Sequence, residues 1–178
     1  MIRDIFENKS NPFYKFGKQI VLREIEYEKI KKFVAERFYS QDLNILQIIE
    51  KILKITNGHP YYTQQLCHEI FVVADKKILT DEFIEKAIFN ILSNHNLDYQ
   101  KWWNELDNTE RKILIGLCNE EKNPTSGTFI SNYGIKSTST AGSAVKRLQE
   151  NGILIKRNGD SYSIEDPFWI RWIILNRK

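Results

Sequence analysis

The dipeptide Asn158-Gly159 constrains the fold most, because it lies between two short runs of alternating apolar residues. Ile153–Lys156 precedes it and Ser161–Ile164 follows it. An Asn-Gly connection favours a tight turn with positive φ, and it is the strongest short-range signal for a β-hairpin. The sequence therefore predicts a two-stranded antiparallel hairpin close to the carboxyl end of the chain.

Four segments around this hairpin have the periodicity or the terminal signals of helices. They are Asp107–Cys118, Thr128–Tyr133, Ser137–Glu150 and Phe168–Leu175. Gly152 ends the third helix, and Asp166-Pro167 starts the fourth. Three helices followed by a two-stranded hairpin are the order of a winged-helix domain, in which a β-ribbon follows a helix-turn-helix.

The first hundred residues predict an all-helical bundle. Apolar residues recur with helical spacing in four segments. They are Glu26–Tyr39, Leu43–Thr56, Tyr61–Ala74 and a helix that begins at Thr80-Asp81-Glu82 and continues to Ile91. The segment Asn57-Gly58-His59-Pro60 separates the second helix from the third. The Thr80 hydroxyl is expected to cap the fourth helix.

The remaining segments predict loops and a junction. Asn8–Phe16 contains Pro12 and is expected to be a loop, and Gln19–Leu22 is either the end of a strand or the lead into the first helix. His95–Gln100 and Trp102-Trp103 form the expected junction. The predicted fold is thus mainly α, with a helical bundle over residues 1–100 and a winged helix over residues 101–178.

Composition places the chain among ordinary globular proteins, and the charge is unevenly distributed. Residues 131–178 contain eight Lys and Arg against four Asp and Glu. Such an excess indicates either a nucleic-acid surface or a solvated face. Cys67 and Cys118 have no metal-ligand spacing, the amino terminus is too charged for a signal peptide, and no apolar run is long enough for a membrane span. We therefore expect a cytoplasmic protein without membrane contact, in which both cysteines are reduced.

The helix over Ser137–Glu150 is in the position that enters the major groove of DNA in a helix-turn-helix. Hydroxyls and free amides at a helix start bind phosphate, and lysines or arginines add positive charge. The candidate DNA-binding residues are Lys136, Ser137, Thr138, Ser139, Thr140, Ser143, Lys146, Arg147, Lys156 and Arg157. Only Arg147 and Gln149 are candidates for reading base edges on this helix. We therefore expect it to contact double-stranded DNA mainly through the phosphate backbone. The alternative is a well-capped helix with an ordinary solvated face.

The sequence predicts no catalytic function. It contains no GxxxxGK[ST] phosphate loop, and Gly17-Lys18 lacks the glycine that would precede it. His59, His68 and His95 have no metal-ligand spacing with cysteines or acids, so no metal site is expected. Cys67 and His68 point about 100° apart on a helix, which excludes a nucleophile–base pair between them.

Three segments resemble the archaeal-type ATPases, a family within the AAA+/STAND phosphate-loop NTPases. The segments are Thr56–Tyr62 with Gln65-Leu66-Cys67, then Asn11–Tyr14 with Ile20-Val21-Leu22, and Tyr162–Phe168 with Trp172. The resemblance implies a helical lid followed by a winged helix, without the nucleotide-binding core that carries the Walker A and Walker B motifs. A natural truncation and an excised domain are both compatible with it.

The resemblance also implies functions for the two parts. Gly58, His59 and Pro60 would approach ATP in the intact parent protein, which would bind ATP and Mg²⁺, whereas this chain by itself would hold no cofactor. The alternative, favoured for the isolated chain, is that Gly58-His59-Pro60 is simply a turn between helices.

Two functions remain open at this point. The first is a non-catalytic region whose winged helix binds DNA and whose lid responds to nucleotide. The second is a protein-interaction or autoinhibitory module without DNA binding, whose partner is the missing ATPase core or a regulatory protein. An exposed patch of several aromatic rings would favour the second function, and the candidate rings are Trp102, Trp103, Phe168, Trp169 and Trp172.

Overall fold

A computed structural model describes Pro12 and residues 27–37, 45–74, 80–157 and 159–177. Within these ranges the chain forms nine helices and one two-stranded sheet. In chain order the elements are α1 (Tyr27–Arg37), α2 (Ile45–Ile55), α3 (Pro60–Ala74), α4 (Asp81–Asn94), α5 (Asn96–Glu105), α6 (Asn108–Cys118), α7 (Gly127–Asn132), α8 (Thr138–Glu150), β1 (Leu154–Lys156), β2 (Tyr162–Ile164) and α9 (Pro167–Asn176). This mainly helical architecture with a hairpin near the carboxyl end confirms the predicted fold class.

The predicted loop over Asn8–Phe16 and the run Gln19–Leu22 lie outside the described residues, apart from Pro12. Pro12 itself lies in a turn. Among the helices that the structure describes, none combines the length and the apolar character needed to cross a bilayer.

The predicted break between α2 and α3 is a tight turn with two residues in the left-handed region. Asn57 has a φ of 52° and Gly58 a φ of 66°. The Gly58 amide donates to the carbonyl of Leu53 at 2.9 Å, which satisfies an end carbonyl of α2. Pro60 is the first residue of α3, where its missing amide hydrogen removes no helical hydrogen bond.

The structure corrects two details of the bundle. Thr80 precedes α4 in an extended conformation, but its hydroxyl makes no capping hydrogen bond. Its backbone carbonyl instead accepts from the amide of Phe83 at 3.1 Å. The expected junction around Trp102-Trp103 is the helix α5, because Tyr99 and Trp103, four residues apart, bury one face of this polar segment.

The helix starts that the sequence predicts at Asp107 and at Asp166-Pro167 are each capped by the aspartate. Asp107 Oδ1 accepts from the Glu110 amide at 2.8 Å, and Glu110 Oε2 accepts from the Asp107 amide at 2.9 Å. This reciprocal pair is a capping box that fixes the start of α6. Asp166 Oδ1 accepts from the amides of Phe168 at 2.8 Å and Trp169 at 3.1 Å, and so caps α9.

The hairpin has the predicted antiparallel pairing, with each strand one residue shorter than predicted. Leu154 pairs with Ile164 and Lys156 pairs with Tyr162. Gly159 has a φ of 66°, as the tight connection requires. Leu154 and Ile164 are buried, so one face of the ribbon packs on the core and the other faces solvent.

One continuous apolar cluster connects the bundle to the winged helix. Its members include Ile52, Leu66 and Ile91 from α2, α3 and α4, and Leu148 and Trp172 from α8 and α9. The last helix, α9, packs against both α4 and α6. A smaller cluster joins α1 to α2 through Ile30, Val34, Ile49 and Leu53.

The two cysteines have free, half-buried thiols. Burial raises the pKa of Cys67 and of Cys118 to about 12. At pH 8 roughly one thiol in ten thousand is then ionised, and the thiolate is the reactive form. We expect a thiol-specific disulfide reagent to label the native protein far more slowly than the protein in urea, where both thiols react. Rapid labelling of either thiol in the folded protein would contradict this.

Candidate nucleic-acid interface

Helix α8 presents one apolar face to the core and the opposite face to solvent. Ala141, Ala144, Val145 and Leu148 are buried, as the sequence pattern predicts. Three of the predicted DNA-contacting hydroxyls, on Thr138, Ser139 and Ser143, belong to exposed residues. The helix therefore has the orientation that a groove-binding helix requires.

Two of the five hydroxyls at the start of α8 are engaged in capping. Ser137 Oγ accepts from the Thr140 amide at 3.2 Å and forms a further hydrogen bond with Thr140 Oγ1 at 2.9 Å. Both residues are half-buried. Ser137 and Thr140 thus fix the helix start, which leaves Thr138, Ser139 and Ser143 to provide hydroxyls at its surface.

Arg147 is held in an ion-pair cluster with the capping box of α6. Its Nε donates to Glu110 Oε1 at 2.9 Å, and an Nη donates to Asp107 Oδ2. The hydrogen bond to Glu110 is the main cause of a raised pKa at Arg147, followed by the charges of Glu110 and Asp107. Because Glu110 is buried, this cluster ties α8 to α6, and the Arg147 guanidinium has less freedom to reach a base edge.

The remaining basic candidates flank the exposed face of α8. Lys136 precedes the helix and is exposed, and Lys146 lies 3.8 Å from Glu150 one turn further along. Lys156 is exposed at the end of β1. Arg157 is also exposed, and its Nε donates to Ser163 Oγ at 2.9 Å across the hairpin. The structure thus brings Lys136, Lys146 and the basic pair Lys156-Arg157 to the surface.

The structure also brings the predicted nucleotide-sensing turn next to the ribbon. A groove of about 590 Å³ is lined on one side by the turn Asn57–Pro60 and on the other by Ile155, Arg157 and Glu165. His59 contributes an Nδ1 that is buried without a hydrogen-bond partner among the described residues. Sequence reasoning missed this proximity, because about one hundred residues separate the two sides of the groove.

The aromatic rings that would have favoured protein docking are mostly part of the core. Trp103, Phe168, Trp169 and Trp172 are buried, whereas Trp102 is 42% exposed. Trp102 packs edge-to-face on Trp169 with ring centroids 5.5 Å apart. These five rings therefore do not form an exposed patch.

Comparisons with known proteins identify the carboxyl-terminal part. Residues 97–174 match the model of a family described as a probable winged helix domain. No curated protein and no solved structure matches the chain. The match, the order α6-α7-α8-β1-β2 and the hairpin register together define this part as a winged-helix domain, a class of module that commonly binds DNA or proteins.

Proposed function

We propose that this chain binds double-stranded DNA mainly through the phosphate backbone, with α8 and the ribbon as the contact surface. The observation that carries the proposal is the outer face of α8. It offers the exposed Thr138, Ser139 and Ser143 at a helix start, between Lys136 and Lys146. Such a face supplies hydrogen bonds and positive charge to phosphates.

Phosphate contact is favoured over base reading by the state of the side chains on α8. Arg147, the strongest candidate for a bidentate contact with guanine, is engaged by Asp107 and Glu110. Gln149 is half-buried. Residues 97–174 also contain ten Lys and Arg and ten Asp and Glu. Attraction to DNA therefore depends on the local arrangement of a few lysines, and modest affinity is expected.

We further propose that the chain is the non-catalytic lid and winged-helix region of an archaeal-type ATPase, whose core binds ATP and Mg²⁺. The basis of this proposal is the motif Thr56–Tyr62, which resembles the corresponding motif of that ATPase family. The structure adds two supporting features. Thr56 Oγ1 and Thr63 Oγ1 share a buried hydrogen bond of 2.8 Å that braces the turn, and the turn faces the ribbon across the groove. Nucleotide at Gly58-His59-Pro60 would then lie within reach of the DNA-contacting ribbon.

A salt-titrated binding assay with duplex DNA tests the DNA proposal. The combined substitution Lys136→Ala, Lys146→Ala and Lys156→Ala is expected to weaken binding by roughly two to three orders of magnitude at about 0.1 M salt. The slope of log K against log salt should fall by roughly three, because each lysine neutralises one phosphate.

A matched control changes the same net charge elsewhere on the protein. Lys54, Lys86 and Lys101 are exposed lysines of α2, α4 and α5. Their combined substitution by alanine should leave the salt slope nearly unchanged. Equal losses in the two triple variants would show that net charge, and not the α8 surface, drives binding, and the proposed interface would be abandoned.

Protein docking stays the second candidate, and a specific feature favours it. An apolar groove between α4 and α9 has Phe89, which is 68% exposed, and Leu175, which is 70% exposed. Exposed apolar residues that lie together are typical of interaction surfaces. Absence of duplex binding by the unmodified protein, together with a retained fold, would make docking the better explanation.

A further inference from the structure

A second cavity, next to the carboxyl end of α8, has the character of a site for an organic cation. It encloses about 480 Å³ between α5, α6, the turn before β1 and the start of α9. This volume lies within the usual range of small-ligand sites. Three aromatic rings line it, those of Tyr62, Trp102 and Trp169.

The cavity also has an excess of carboxylates. Glu105, Glu110, Glu165 and Asp166 contribute to its lining, which contains no lysine or arginine. Arg147 neutralises Glu110 from outside the cavity. Within the described part of the chain, the side chains of Glu105 and Glu165 have neither a hydrogen bond nor an ion pair.

The negative charge of these carboxylates acts on the pKa of Tyr62, whose ring lines the same cavity. Burial raises the pKa of the Tyr62 phenol, and the charges of Asp166 and Glu165 raise it further. The carboxylates do not form a metal site, because no group of three or more His, Cys, Asp or Glu with suitable placement occurs among the described residues. A cavity with aromatic walls and negative potential favours an organic cation instead.

Trp169, one of the residues that line the cavity, is almost completely buried. Trp169 is 2% exposed, and its indole Nε1 has no hydrogen-bond partner among the described residues. A buried indole N–H usually finds an acceptor, and leaving it without one costs free energy. The protein itself encloses this atom, so the Trp169 ring, and not its Nε1, contributes to the wall of the cavity.

We propose that this cavity binds the cationic side chain of an arginine or lysine residue. The cation would contact the carboxylates of Glu105 and Glu165 and the ring of Trp102. Guanidinium and ammonium groups gain both charge-assisted hydrogen bonds and cation–π attraction in such surroundings. The lining includes none of the residues proposed to contact DNA.

The test uses nuclear magnetic resonance of the whole ¹⁵N-labelled chain, whose four tryptophans give four indole signals. The probe is Nα-acetyl-arginine amide, and Nα-acetyl-citrulline amide is its neutral isostere. We expect saturable shifts of the Trp102 and Trp169 signals with the arginine probe, small shifts of Trp103 and Trp172, and no saturable response to citrulline. Glu165→Gln should weaken binding roughly tenfold, because it removes one charge-assisted contact.

Glu82→Gln is the matched control, since Glu82 is an exposed acid of α4 outside the cavity lining. It should bind the probe as the unmodified protein does. Equal binding of the citrulline and arginine probes, or unchanged affinity in a Glu105→Gln, Glu165→Gln double variant, would overturn the proposal. An acetylated, amidated Gly-Arg-Gly peptide distinguishes the source of the cation. Tighter binding of the peptide than of the single residue assigns the site to a protein segment, and tighter binding of the single residue assigns it to a small molecule.

Discussion

Gly116→Ala is expected to destabilise the protein by about 2 kcal/mol, although glycine is normally an unfavourable residue within a helix. Gly116 lies in α6, and the rings of Phe129 from α7 and of Tyr133 just after it pack against this position. A Cβ atom at this position would overlap the ring of Phe129 and lie 2.9 Å from Cε2 of Tyr133. Phe129 is fully buried, so its ring cannot move aside without shifting α7. The overlap therefore outweighs the gain in helix propensity.

Gly142→Ala is the matched control for this prediction. Gly142 is a helical glycine of α8, and a Cβ atom there would meet no atom within 4 Å. The substitution should stabilise the protein by about 0.5–1 kcal/mol, because it removes backbone freedom from the unfolded chain. Urea unfolding monitored by circular dichroism measures both effects as changes in the transition midpoint. A Gly116→Ala protein as stable as the unmodified one would contradict the close packing of the Phe129 ring on Gly116.

Asp166→Ala is expected to cost about 2–3 kcal/mol of stability. The Asp166 carboxylate accepts from the amides of Phe168 and Trp169, and its Oδ2 accepts from the Tyr99 hydroxyl at 3.0 Å. Its loss leaves the start of α9 uncapped and a buried hydroxyl without an acceptor. Tyr99→Phe separates the two effects, since it removes the hydroxyl and keeps the cap, and it should cost about 1 kcal/mol.

Asp166→Asn tests the charge of the same side chain through pH. Burial raises the pKa of Asp166, and hydrogen bonds from Trp169, Phe168 and Tyr99 lower it to a smaller extent. A carboxyl group whose pKa is higher in the folded protein than in the unfolded one makes the folded protein more stable when it is protonated. This contribution is complete below its unfolded pKa of about 3.9. This contribution is lost as the pH rises through the folded pKa.

Relative to the unmodified protein, Asp166→Asn should therefore gain stability between pH 3 and pH 7. Urea midpoints measured for both proteins across this window give the difference directly. A relative loss of stability with rising pH would show that the hydrogen bonds to the carboxylate, and not its burial, dominate its ionisation.

Local features of the fold could be predicted from the sequence because they depend on neighbouring residues. The helix start at Asp107, the Asn-Gly connection of the hairpin and the Asp166-Pro167 helix start each involve residues at most three positions apart. Helix α5 escaped prediction because eight of its ten residues are exposed or only partly buried, so Tyr99 and Trp103 gave too few apolar positions for a helical period.

The candidate sites depended on contacts that the sequence does not encode locally. The exposed face of α8 follows from its buried alanines and was predicted. The partners of Arg147 lie 37 and 40 residues away, so its ion pairs were not foreseen. The cavity proposed to bind a cation is lined by Tyr62 of the bundle and by Trp102 and Glu165 of the carboxyl-terminal part. It therefore forms only when the bundle packs on the winged helix. Which residues contact DNA stays a prediction.

The apolar cluster that runs from α2 to α9 has an evolutionary consequence. A recombination event between α4 and α5 would leave Ile84 and Ile91 on one fragment and Trp169 and Ile173 on the other, with their apolar surfaces in water. Gene fusions that transplant the carboxyl-terminal part onto an unrelated host would need a replacement for α4. The two halves are thus expected to be inherited together, and swaps should be tolerated among relatives that keep the α4–α9 contact.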